Sequence, residues 1–507
     1  MKLITLCFSL LFGIQLIYSQ DGALDLTFGD GGVVIIDSEI NQNGQAITMQ
    51  EDGKILIAGY SDVDEIVLVR LMPDGTLDSS FNYDGILIPT NYDFGNCGTG
   101  PGFINLIMQE DGKILVGGSI WHENNYGVRG LFRINSNGFI DPSFGIFGEP
   151  EPLDVGIDGV ELCPRDFILL PDNKILVMSN FGDYGFNHPL LIKYNSDGTL
   201  DETFNGSGYI LEGEEEKATA VAVQSDGKIV FACGSTKMFR YNSNATKDST
   251  FSEDGELFLN FGTFDQEVII QPDQKILFGF NWGAYYIYRY NEYGHKDVSF
   301  SDDGISYGHA NTDLRFHPLA LAPDGKIIQA GYRCDDEYID CWPLVCRLNS
   351  MGELDYSFGD EGIVETKFND DAKFSAVTIQ EDGKIVCTGY INKYVGGGLY
   401  NQDLIVVRYN SSLETEIKQT ENNINEIKIL PNPVTSSTKL LINCTKAGIM
   451  DVKLYDITGR LIKTFMTGAN IVQGINEYSL ELNIASGIYI LNVGDSNYSQ
   501  NLLLEKL

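Results

Sequence analysis

Between about residue 30 and residue 410 the chain alternates short apolar runs with turn residues, and no long stretch has the period of a helix. In the first unit the runs are Val33–Ile36, Gln45–Gln50, Lys54–Gly59 and Glu65–Leu71. Glu51-Asp52-Gly53 and Pro73-Asp74-Gly75 punctuate them, with glycine where a tight turn takes positive φ. Four strand-like runs per unit predict small antiparallel sheets.

Three marks repeat seven times each. Asp-x-Lys-Ile occurs at 52–55, 111–114, 172–175, 226–229, 273–276, 324–327 and 382–385. Asp-x-(Ser/Thr)-Phe ends at Phe28, Phe81, Phe144, Phe204, Phe251, Phe300 and Phe358. A cation sits in an apolar run at Arg70, Arg133, Lys193, Arg240, Arg289, Arg347 and Arg408. Repeats of about 50 residues with four strands each predict a seven-bladed β-propeller, because stacking around an axis buries both faces of every sheet.

Spacing separates the two rims of this ring. Cation to phenylalanine is 11 residues each time, whereas lysine to cation runs from 12 to 24. In an antiparallel meander these segments emerge on opposite sides. One rim is therefore uniform scaffold, and the other is where function is grafted. The cations also lie eight residues before an aspartate: Arg70 and Asp78, Arg133 and Asp141, Lys193 and Asp201, Arg240 and Asp248, Arg289 and Asp297, Arg347 and Asp355. The partner for Arg408 would be Asp25, from the connector that opens the ring. These sets predict a buried or half-buried lattice that closes the circle and removes open sheet edges; the alternative is solvated surface charge.

The ends of the chain carry other signals. Residues 1–19, with Lys2, the apolar Leu3–Ile17 and small Ser19, read as a secretory signal peptide. No later segment is apolar enough to span a membrane. Residues 411–425 are polar and read as a linker, leaving 20–410 for the propeller. Residues 426–507 contain seven strand-like runs at Ile427–Leu430, Lys439–Ile442, Val452–Tyr455, Leu461–Phe465, Glu477–Leu482, Gly487–Val493 and Gln500–Leu504, which predict a small Ig-like β-sandwich.

The Asp-Gly-Lys-Ile and Leu-Asp-x-Ser-Phe marks resemble the delta-60 repeat family of secreted propeller-like proteins over roughly residues 22–410. That resemblance implies a fold and no defined activity, so no functional residue carries over. The C-terminal segment, with Leu430-Pro431-Asn432-Pro433, Leu454-Tyr455-Asp456-Ile457-Thr458-Gly459-Arg460, Ser486-Gly487-Ile488-Tyr489-Ile490 and terminal Glu505-Lys506-Leu507, is similar to the type A sorting domains of the type IX secretion system of Bacteroidetes. This implies that residues 426–507 engage the type IX secretion machinery, and that the product is released or held on the cell surface.

Composition narrows the chemistry. Net charge is −37, which repels phosphate backbones and excludes nucleic acid as a partner. Eight cysteines follow the leader, at 97, 163, 233, 334, 341, 346, 387 and 444; Cys334 and Cys341 bracket an acidic loop and are placed to bridge. No spacing suits zinc, and Asn195–Asp201 reads as a turn rather than a calcium loop. No phosphate loop or dinucleotide fingerprint calls for a cofactor. The three tryptophans fall in the loops of variable length. Trp121, His122, Tyr126, Trp282, Tyr285, Tyr286, Trp342 and Tyr400 are accordingly the candidate ligand face, for a glycan or a protein; the alternative is that they pack between loops. The expected molecule is a monomeric, secreted, non-enzymatic binding propeller. A carbohydrate-active hydrolase or lyase and a purely structural surface protein are the other readings.

Overall fold

A computed structural model of the protein describes residues 21–37, 41–61, 65–89, 92–94, 104–118, 120–122, 130–153, 161–182, 188–213, 216–234, 236–259, 266–281, 285–307, 315–334, 341–396, 399–411, 424–430, 432–444, 448–456, 460–494 and 499–506. The chain divides into two compact units, Met1–Leu413 and Glu414–Leu507. Among the described residues every regular element is a β-strand, and every paired ladder is antiparallel.

The first sheet runs in the order Gln42–Met49, Ile55–Ser61, Ile66–Leu71 and Ile86–Leu87. Five further sheets follow in sequence, beginning at Ile104, Glu161, Ala218, Gln266 and Arg315; the second has three described strands and the others four. The seventh is built from Asp371–Ile379, Ile385–Gly396 and Leu399–Tyr409, with Val33–Ile36 from the start of the unit as its outer strand.

Packing explains why apolar runs dominate over strict alternation. All six residues of Ile66–Leu71 are buried, because both faces of the sheet meet a neighbour. Seven apolar clusters fill the seams between successive sheets. One joins Leu56 and Leu68 of the first sheet to Leu106 and Phe132 of the second. Another joins Val386, Leu404 and Val406 of the seventh back to Ile55, Ile57 and Val67 of the first. The sheets thus form a closed cycle.

One expectation needs correcting. Val33–Ile36 is not the first strand of the first unit. It pairs with the seventh sheet, Val33 opposite Val407 and Ile36 opposite Leu404, and the first sheet takes Ile86–Leu87 as its fourth strand instead. The connector after each cation strand folds back along its own sheet, with the Arg70 amide donating to the Gly85 carbonyl at 2.8 Å. Gly85 stands at φ 93° with Leu77 only 3.1 Å from where a Cβ would be, so this return suits glycine.

Cys334 and Cys341 form a disulfide between facing strand ends. Cys346, Cys387 and Cys444 are free and buried, and Cys233 is buried as well; Cys97 lies outside the described residues. The C-terminal unit has two sheets. One orders Ile424–Leu430, Ser437–Cys444 and Gly474–Glu481; the other orders Leu461–Ile471, Gly448–Asp456, Gly487–Gly494 and Ser499–Lys506. Leu440 and Ile442 of the first share one core with Leu454, Leu491 and Leu504 of the second.

The closing strand has a testable consequence. Removing residues 21–37 leaves Leu399–Tyr409 as an open edge. Amide exchange at Leu404–Val407 is expected to speed up by orders of magnitude, while the ladder in the third sheet keeps its protection.

Candidate functional site

The three repeated marks converge on one aspartate per sheet. In the first sheet the Asp78 amide donates to the Arg70 carbonyl at 3.0 Å, and the Phe81 amide donates to the Asp78 carbonyl at 2.9 Å. Asp78 Oδ1 accepts from the Ser80 amide at 3.0 Å and hydroxyl at 2.6 Å, which is why Ser or Thr recurs two places on. Asp78 Oδ2 lies 2.8 Å from Arg70 Nε and 3.6 Å from Lys54 Nζ. The guanidinium sits 4.7 Å above the Phe81 ring.

The same constellation recurs around the cycle. Arginine Nε to aspartate Oδ2 is 2.9 Å for Arg133 and Asp141, 2.7 Å for Arg240 and Asp248, and 2.8 Å for Arg289 with Asp297 and Arg347 with Asp355. Arg408 Nε lies 2.8 Å from Asp25 Oδ2, which Lys384 Nζ also approaches at 3.3 Å. The arginine and aspartate side chains are buried throughout, apart from modest exposure at Asp297 and Asp355.

Each arginine also reaches the next sheet. Nη1 of Arg133 donates to the Ser196 carbonyl at 2.5 Å, that of Arg289 to Ser350 at 2.7 Å, and that of Arg408 to Pro73 at 2.6 Å. Arg70 and Arg240 make the same bond to Ser136 and Glu292. Arg347 reaches the Ser411 hydroxyl at 2.8 Å and the Asp21 carboxylate at 3.0 Å. Lys193 is the exception: its ammonium is 3.7 Å from Asp201, and Lys174 takes the closer place at 2.8 Å.

The candidate ligand face is less uniform. Tyr126 and Trp282 lie outside the described residues. Trp121 and His122 are on a short strand, Ile120–His122, paired with Tyr92–Phe94. Tyr285 is only 3% exposed, so it is core and not ligand surface. Gly279 leaves room for it: a Cβ there would stand 2.2 Å from the Tyr285 hydroxyl. Tyr286 stacks on Phe280 at 5.5 Å, and Trp342 is half-buried beneath Lys367 Nζ at 5.3 Å. Tyr394 and Tyr400 stand out, each 58% exposed, with ring centres 5.4 Å apart across the hairpin of the seventh sheet.

Two buried carboxylates on innermost strands belong to none of the repeated marks. Asp166 accepts from the Phe167 amide at 2.9 Å and, across a seam, from the Val221 amide at 3.0 Å. Glu267 accepts from the Leu319 amide across another seam at 2.6 Å. Burial raises Asp166 to about 6 despite these bonds, and burial together with the Asp166 charge raises Glu267 to about 8. The lattice aspartates go the other way. Burial pushes Asp25, Asp141 and Asp297 up, but bonds from Thr27, Ser143 and Ser299 and the nearby cations outweigh it and hold all three at about 2. Asp197, in the acidic loop at 195–201, is taken up by a turn through the Thr199 amide and hydroxyl. Among the described residues no three His, Cys, Asp or Glu side chains are grouped to hold a metal. A cleft of about 570 Å³ between the second and third sheets opens on the uniform rim, with Arg133 in its lining.

The constellation coincides with a known sequence family. A β-propeller domain of unknown function (DUF5122) matches residues 50–81, 109–144, 170–204 and 224–251, each span holding the lysine and cation and ending on the phenylalanine. The secretion system C-terminal sorting domain matches residues 428–504. The chain carries DUF5122 propeller repeats and a secretion sorting tail. That tail marks export by the type IX system to the cell surface or the extracellular space. No described helix is long and apolar enough to cross a membrane.

Solved structures similar to this chain share about a tenth of its sequence. The extracellular domain of a hybrid two-component system from B. thetaiotaomicron is 11% identical with a TM-score of 0.40; the match covers 94% of this chain and 58% of that one. A protein of unknown function from Dyadobacter fermentans is 11% identical with a TM-score of 0.39, over 75% and 100%. A fungal alcohol oxidase in complex with copper is 11% identical with a TM-score of 0.43, over 95% and 99%. No curated protein matches the chain in sequence.

Two outcomes test this electrostatic design. Lys193→Arg supplies the guanidinium that the other six sheets have and brings the Ser243 carbonyl into register. It is expected to stabilise the protein by about 1–2 kcal/mol, read as a higher urea midpoint. Stability should also peak at about pH 4 to 5, just above the unfolded carboxylate range, and fall on either side. The lattice aspartates contribute stability above the unfolded carboxylate range, lost as pH falls through their depressed values. Asp166 and Glu267 contribute stability at low pH, lost as pH rises through about 6 and about 8. Urea midpoints against pH should show both limbs, and Asp166→Asn with Glu267→Gln should flatten the alkaline one.

Proposed function

We propose that this chain is a secreted, non-enzymatic propeller of seven blades that displays a binding surface outside the cell. In this reading the leader at 1–19 is removed on export, residues 411–425 act as a polar linker, and the tail at 426–507 is handled by the type IX machinery. The variable rim binds a glycan or a protein.

The observation that carries the reading is the Tyr394–Tyr400 pair. Both rings are more than half exposed, and they sit near the tip of the hairpin formed by Ile385–Gly396 and Leu399–Tyr409. Aromatic area held in water by a rigid ladder is surface poised for stacking or for burial against a partner. The geometry of the unit's ends agrees with display. Asp21 and Ser411 both bond to Arg347 at the uniform rim, so the first and last described residues of the propeller meet there. The acidic surface favours a neutral or cationic ligand.

The test is a glycan array and protein-binding screen with the full chain and with Tyr394→Ala/Tyr400→Ala. The double variant is expected to weaken the binding found by at least tenfold, about 1.4 kcal/mol. Equal binding by both proteins removes the tyrosine pair as the ligand surface.

A further inference from the structure

The uniform rim carries apolar surface that its scaffold role does not explain. The residue after each lattice aspartate occupies one register position in all seven sheets. In the first four it is Ser79, Pro142, Glu202 and Ser249. In the fifth, sixth and seventh it is Val298, Tyr356 and Leu26, exposed 65%, 72% and 76%. A second register position behaves alike. The turn residue that is Asp74, Asn137, Asp197 and Asn244 in the first four sheets becomes Tyr293 and Met351 in the fifth and sixth, 51% and 39% exposed. Two independent positions thus turn apolar in the same stretch of the ring.

These residues form one arc. The Ser301 amide donates to the Met351 carbonyl at 2.8 Å across the seam between the fifth and sixth sheets. The Gly359 amide donates to the Asp21 carbonyl at 3.0 Å across the next seam, toward the segment that carries Leu26. None of the three connector side chains packs within its unit to a degree that would account for it. An apolar strip on three neighbouring sheets is the mark of an interaction surface.

Charge identifies the occupant. Exposed Asp302, Asp303, Asp360 and Glu361 flank the strip. Of the cations on this rim of the same sheets, Arg289, Arg347 and Arg408 are buried and Lys275, Lys326 and Lys384 reach the lattice aspartates, which leaves exposed Lys296, its Nζ 5.2 Å over the Tyr288 ring, against these four carboxylates. A second copy of the chain would bring like charge against like, at −37 each. We propose that the uniform rim of the fifth to seventh sheets docks a cationic protein segment, with aliphatic or aromatic residues set on Val298, Tyr356 and Leu26 and lysine or arginine facing the flanking carboxylates.

The test uses the full chain and a fluorescent amphipathic Leu/Lys peptide, with the same pattern in Leu/Glu as control, read by anisotropy at two salt concentrations. The expected result is binding of the Leu/Lys peptide that weakens with salt and falls at least tenfold in Leu26→Ser/Val298→Ser/Tyr356→Ser. Asp360→Lys/Glu361→Lys, which leaves the strip intact, should weaken it too. Tyr83→Ser/Phe147→Ser, on the same rim of the first two sheets, should leave it unchanged. Several outcomes overturn the proposal: no binding of the Leu/Lys peptide, equal binding of the Leu/Glu peptide, equal affinity in the Leu26 and Asp360 variants, or equal loss in the Tyr83 variant. A concentration-dependent dimer in sedimentation that the Leu26 variant abolishes would assign the strip to a second copy. Because the variable rim is untouched in all of these variants, failure here leaves the tyrosine-pair reading standing.

Discussion

A carboxylate taken out of water is tolerable only when its charge is answered on the spot, and this ring is organised around doing so seven times. One oxygen of each lattice aspartate is satisfied by the hydroxyl and amide two residues on; the other faces two cations. The arrangement also locks the connector, since the aspartate amide and carbonyl are both engaged. A buried ion pair is seldom a net source of stability, because desolvation offsets most of the attraction. What it supplies here is register. The guanidinium has one donor for its own sheet and another for the next, so the orientation of each sheet constrains its neighbour.

This division of labour explains why the two rims follow different rules of length within the chain. The uniform rim holds charged groups with fixed reach, and an inserted residue would pull an aspartate off its arginine. The opposite rim holds hairpins whose ends are free to lengthen. The 12-residue Ile385–Gly396 strand, against five residues for Ile229–Cys233, shows how far that freedom goes within one chain.

Much of this was legible in the sequence because the spacing is rigid. Eight residues from cation to aspartate and eleven to phenylalanine specify a motif before any coordinates exist, and pairing Arg408 with Asp25 needed only the same count carried across the ends. Other features could not be read this way. The partner of Val33–Ile36 is hidden because a strand's own alternation says nothing about which sheet it joins. Tyr285 looked like loop surface because its burial depends on Gly279, a residue on the neighbouring strand. Asp166 and Glu267 carry no motif, since each is held across a seam by a main-chain amide of the adjoining sheet, which any residue could supply. Val298, Tyr356 and Leu26 stand at the variable place of the Asp-x-(Ser/Thr)-Phe mark, where the spacing says nothing about them; only their shared exposure in the folded chain brings them out.

The outer strand of the seventh sheet has a consequence for the life history of the molecule. Arg408 and Asp25 are 383 positions apart, so the segment synthesised first waits, unpaired, for nearly the last of the propeller to arrive. Six seams can zip up in order along a growing or emerging polypeptide; the final one is a clasp that fastens all at once. Until it does, Leu399–Tyr409 and Val33–Ile36 each keep an unpaired ladder edge. Maturation of the toroid is therefore timed by the arrival of its own tail end.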